Sequence, residues 1–112
     1  MTEIRVLTPW HAPDADVLEA WEDFADAADE AGWRVNVEWS DPWTDEETGQ
    51  ELPGRFHWFL SYEAMCSDGK YHAHMLDLPE TAPAQGELWL GFIEMAAQGW
   101  LAHLERTGVT TA

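Results

Sequence analysis

Three histidines lie in two neighbouring apolar runs. His57 is in residues 55–63, and His72 and His74 are in residues 70–76. Two residues apart on an extended strand, His72 and His74 share a face. The runs flank Asp68-Gly69, a pair that tolerates the positive φ of a tight hairpin turn. A two-residue turn there places Glu63 opposite His74 and Met65 opposite His72. Two imidazoles and a carboxylate on one face are donors for a divalent cation. One reading of His57, His72, His74 and Glu63 is therefore a small metal-binding protein or enzyme. The plainer reading is a partly exposed sheet face with a Glu63–His74 pair.

Cys66 is the only cysteine, so neither an internal disulfide nor a multi-cysteine zinc site is available. A cysteine nucleophile needs a base and a group to orient that base. At the tip of a hairpin, with His72 nearby in sequence, Cys66 is poorly placed for that work. The sequence holds no phosphate-cradling glycine loop and no Gly-x-Ser-x-Gly turn. The expectation is a non-enzymatic protein without a cofactor.

Charge is the stronger signal. The 112 residues carry 22 Asp and Glu against 5 Lys and Arg, a formal −17. Such a surface repels phosphate backbones and anionic membranes, and attracts basic protein surfaces. Its plain alternative is adaptation to a salty cytosol, with a homodimeric structural protein beneath it. Residues 14–31 contain no lysine or arginine. At ~100° per residue, Glu19, Glu22, Asp23, Asp26, Asp29 and Glu30 fall within roughly a third of a helix circumference. Glu19, Asp23, Asp26 and Glu30 form a column spaced by ~5 Å, which imitates the edge of a nucleic-acid backbone. Residues 41–54 add Asp45, Glu46 and Glu47 around Trp43, an interface anchor if exposed. Their spacing does not fit a calcium-binding EF-hand loop.

These ten residues are the expected contact set for a basic surface on a partner, with a nucleic-acid-binding protein as the expected class. An inhibitor, an immunity protein or a phage-encoded anti-host protein works in this way, and a DNA mimic is the sharpest form. No apolar run approaches the ~18 residues of a membrane span. The first residues lack a charged-then-apolar leader pattern, so a cytoplasmic location is expected.

The elements that must hold these groups follow from periodicity. Residues 3–8 read as an edge strand ended by Pro9. Asp14 opens a helix whose Val17, Leu18, Trp21, Phe24, Ala25 and Ala28 share one face, and Gly32 stops it. Residues 33–40 alternate cleanly, with Trp33, Val35, Val37 and Trp39 on one side and Arg34, Asn36, Glu38 and Ser40 on the other, which is expected to be a wet face. Residues 41–54 hold two prolines and two glycines and read as an irregular connection. In the hairpin, Phe56, Trp58, Leu60 and Tyr62 face one way, and Tyr71, Ala73 and Met75 are expected to do the same on the return strand. Residues 86–107 form a helix apolar on most sides, which suits burial between layers or a homodimer face. Gly91 and Gly99 there suggest close backbone approach.

The expected fold is one compact α+β domain of order (β)-α-β-β-β-α. A three- or four-stranded antiparallel sheet carries two helices on one face. Trp21, Phe24, Trp33, Val35, Val37, Trp58, Leu60, Tyr62, Phe92, Ile93 and Trp100 are its expected core.

Overall fold

A computed structural model describes residues 4–83 and 87–111. Glu3 and Gly86, expected bounds of the first strand and last helix, lie outside the described residues, as do Met1 and Thr2. The element order is β1 (Arg5–Val6), α1 (Ala15–Glu30), β2 (Arg34–Ser40), β3 (Trp43–Thr44), β4 (Glu51–Leu52), β5 (Arg55–Met65), β6 (Tyr71–Asp77) and α2 (Glu87–Thr107). The main sheet has the order β1-β2-β5-β6.

The fold is α+β with two helices, but the sheet is mixed rather than wholly antiparallel. β1 pairs parallel with β2, Arg5 opposite Asn36 and Val6 opposite Val37. The chain leaves β1, crosses through α1 and returns beside β1, and a crossover of that kind delivers a parallel strand. Residues 41–54 also contain a two-stranded sheet that the prolines and glycines concealed. Trp43 pairs with Leu52 and Thr44 with Glu51. Gly49, at φ +71°, closes its turn.

α1 ends in a Schellman arrangement. The Trp33 N–H donates to the Ala28 carbonyl and the Gly32 N–H to the Asp29 carbonyl, with Gly32 left-handed at φ +86°. That turn launches β2 directly from the helix. The described core includes Trp21, Phe24, Trp33, Val35, Val37, Trp58, Leu60 and Trp100. Tyr62, Phe92 and Ile93 are only partly buried and pack against it. Trp21 from α1 stacks on Trp58 from β5 with ring centroids 4.2 Å apart. Trp100 from α2 meets Tyr62 edge-on at 5.0 Å. Both helices therefore cover the β5 face that carries Trp58 and Tyr62.

The opposite face is uncovered by helix, yet its centre is not wet. Asn36 and Phe59, paired across β2 and β5, are both buried. The Asn36 amide donates to the carbonyls of Arg34 and Phe59 and, at 2.7 Å, to the Ser61 hydroxyl. A polar group at that position is tolerated because it is bonded.

The hairpin differs from expectation by one residue. Tyr62 pairs with His74 and Ala64 with His72, while Glu63 lies opposite Ala73. A two-residue type I′ turn needs positive φ at both central positions. Among the described residues only glycines have positive φ, and Gly69 takes +78°. The turn is thus Ser67-Asp68-Gly69, closed by the Cys66 N–H donating to the Lys70 carbonyl. One extra turn residue inverts every side chain of the returning strand. His72, His74 and Leu76 go under α2; Tyr71, Ala73 and Met75 go to the uncovered face.

Candidate partner-binding surface

α1 is a regular helix with one apolar side against the sheet. Trp21, Phe24, Ala25 and Ala28 are buried. Val17, in the first turn, is exposed. Glu19, Asp23, Asp29 and Glu30 are exposed, and Glu22 and Asp26 are half-buried at the margin. Among the described residues Glu19, Glu22, Asp23, Asp29 and Glu30 form no ion pair. The last turn of α1 carries no basic residue to answer its dipole.

The second acidic element is the β3–β4 hairpin. Trp43 is 57% exposed, and Glu46 and Glu47 are exposed with Asp45 half-buried. The Asp45 carboxylate accepts the Glu47 N–H, holding the turn. This hairpin leaves the sheet beside the segment leading into α1. His11 stacks on Trp39 at 3.9 Å, and the Trp39 N–H donates to the Thr8 hydroxyl. The Trp39 indole lies over Gly54, where any Cβ would collide with the ring. Trp39 thus links the start of α1 to both ends of the hairpin.

The cations sit elsewhere. By register Arg5, Arg34 and Arg55, three of the five, share the uncovered sheet face. Arg55 reaches Glu80 at 4.0 Å. Arg5 and Arg34 line an open cleft of about 250 Å³ with Ser61 and Glu63. The arginine-bearing sheet face thus lies opposite the acidic helix, and by the same register it also carries Glu38, Glu63 and Asp77. Sequence spacing placed Arg34 on the polar side of its strand but could not bring Arg5 and Arg55 beside it, because that depends on strand pairing.

The four residues of the metal reading are not brought together. His57 and Glu63 are on the uncovered face, and His72 and His74 are on the helix-covered one. His57 spans two carboxylates instead, Glu38 at 3.2 Å and Asp77 at 2.8 Å. Among the described residues no group of three or more His, Cys, Asp or Glu is placed to hold a metal ion. Cys66 is buried, and burial followed by the Asp68 charge pushes its thiol pKa up. That is the opposite of what activates a thiolate. No described helix is long and apolar enough to cross a membrane.

The histidine arrangement that does form includes His103 of α2. His72 Nε2 lies 2.8 Å from Asp68 and its Nδ1 lies 2.9 Å from His103 Nε2. A neutral His72 donating to Asp68 must accept from His103. Asp68 is held below the usual carboxylate range, first by the His72 hydrogen bond and then by the Lys70 N–H. His103 is thirty-one positions from His72 in the chain, and no local pattern announces the pairing.

His74 lies against Gly99 of α2 and edge-on to Trp33. Its pKa is lowered from 6.5, first by burial and then by repulsion from His103 and Arg106. A depressed imidazole pKa means that the unfolded chain binds the proton more readily. Stability is then untouched at alkaline pH and falls as pH drops through ~6.5. Thermal melts taken from about pH 7.5 to about 5 are expected to show this decline. His74→Gln should make it shallower; an unaltered slope would exclude His74 as a contributor.

Comparison with known proteins gives no match: no family model, no curated protein and no solved structure is significantly similar to this chain.

Proposed function

We propose that this is a non-enzymatic acidic protein that binds a basic surface on a partner protein through the outer face of α1, with the β3–β4 hairpin alongside. The observation that carries the reading is the cation-free α1, whose Glu19, Asp23, Asp29 and Glu30 project outward while Arg5, Arg34 and Arg55 occupy the opposite side. Like charges along one helix repel by a few tenths of a kcal/mol per i,i+4 pair. A basic partner relieves that repulsion on docking. From Glu19 to Glu30 the helix presents its carboxylates over about 16 Å, comparable to several phosphates of a duplex strand. A nucleic-acid-binding protein is accordingly the partner class with the best fit.

The test is charge reversal at two exposed positions, Glu19→Lys with Asp23→Lys. Partner capture from the native host should be lost in the variant and should weaken in wild type as salt rises. Screening shortens the electrostatic range from ~10 Å at 0.1 M to ~3 Å at 1 M. DNA should compete for the captured partner. An unchanged partner set, or capture indifferent to salt, overturns the reading.

A further inference from the structure

We infer that β6 is a self-association edge, and that two copies of this chain pair antiparallel along it. β6 is the outermost strand of the main sheet. The Cys66 N–H donates to the Lys70 carbonyl, and the Leu78 N–H donates to the Trp58 carbonyl. These two bonds set the phase of the ladder. Lys70, His72, His74, Leu76 and Leu78 turn their backbone groups towards β5. Tyr71, Ala73, Met75 and Asp77 turn theirs outward, and among the described residues nothing pairs with them.

Natural edge strands are normally guarded by lysine, proline, inward charge or a bulge. From Tyr71 to Leu76 the strand has none of these. Its register with β5 runs without interruption from Phe59–Asp77 to Met65–Tyr71. Lys70 and Pro79 fall just outside. The side chains beside this edge are apolar and open: Tyr71 is 73% exposed and Met75 64%, with Met65 next to Tyr71.

The occupant is a second copy because the strand complements itself. A two-fold axis at Ala73 sets Tyr71 of each copy opposite Met75 of the other, an aromatic–thioether contact made twice. The antiparallel order also brings the Lys70 end of each strand to the Asp77 end of its partner. Residues 70–76 themselves carry no carboxylate in a chain of −17, and the acids nearest the seam on that face are Glu63, beside Ala73, and Asp77. α2 extends the seam. Its Gly99 touches His74, one turn earlier is Met95, and two turns before that is Leu88. Met95 and Leu88 are both exposed and flank the helix side nearest β6. α1 packs on β2, on the far side of β5, so the proposed partner face stays clear of this junction.

Sedimentation of the full chain tests the proposal, with Met75→Lys on the seam and Leu101→Lys on the outward flank of α2. Wild type and Leu101→Lys should be dimers near 100 μM, a range in which a micromolar Kd saturates. Met75→Lys should weaken association at least tenfold with its circular dichroism spectrum unchanged, its melt falling only by the stability that the dimer adds. Because self-repulsion is screened, the dimer should tighten as salt rises, the reverse of binding to a basic partner. The amides of Tyr71, Ala73 and Met75 should exchange slowly in the dimer and quickly in Met75→Lys. A monomeric wild type, a Met75→Lys dimer of undiminished affinity, or association broken by Leu101→Lys instead overturns the inference.

Discussion

Trp58→Ala is expected to remove about 3–5 kcal/mol of stability, the range for deleting a buried indole. Trp58 is 2% exposed and lies almost parallel to the fully buried Trp21, with 7° between the ring planes. Its loss opens a cavity between α1 and the centre of the sheet, which cannot collapse because β2 and β6 hold β5 on both sides. A domain of this size has about 5–15 kcal/mol in total. Denaturant titration should therefore show a large fall in midpoint, or no cooperative transition at all. Trp58→Phe should cost less, because most of the apolar contact survives. Alanine at 58 with a loss under about 1 kcal/mol, the scale of a surface change, would show that this stack does not organise the core.

The second expected result is a pair of opposite signs on α2. Gly91→Ala should stabilise by about 0.5–1 kcal/mol, since alanine loses less backbone entropy in a helix and nothing lies within 4 Å of the added methyl. Gly99→Ala has the same propensity gain but the new Cβ would overlap the His74 ring, with its Cε1 only 2.9 Å away. Relief requires His74 to leave its place against Trp33 or α2 to lift from β6. Overpacking of this kind costs about 1–3 kcal/mol, enough to outweigh propensity. Thermal melts of the two variants should move in opposite directions. A stabilised Gly99→Ala would mean that α2 does not sit this closely on β6.

The close approach at Gly99 was foreshadowed by a glycine that weakens its own helix, whereas Gly91 had the same signal and no neighbour. The distinction is invisible locally because both positions have the same propensity. Likewise, alternation in residues 33–40 identified β2 and its buried Val35 and Val37. It misassigned Asn36 to water, because a central strand has neighbours on both faces. Trp43 and Leu52 formed a ladder inside a stretch dominated by proline and glycine, whose breakers shaped the turn of a short hairpin rather than preventing one.

By itself, the sequence determined the two helices, the principal hairpin, the apolar side of α1 and the carboxylates opposite it. All of these depend on residues a few positions apart, and local spacing is enough to set them. Tertiary structure decided the parallel pairing of β1, the meeting of His72 with His103 and the gathering of Arg5, Arg34 and Arg55 on the uncovered face. It also decided where the histidines go, through the conformation of one residue. Asp68 keeps a negative φ and leaves Gly69 alone in the left-handed region, so the turn gains a residue and the strand beyond it is inverted. Side chains alternate with a period of two along a strand, so a change of one in a turn reverses what is covered and what is offered to a partner.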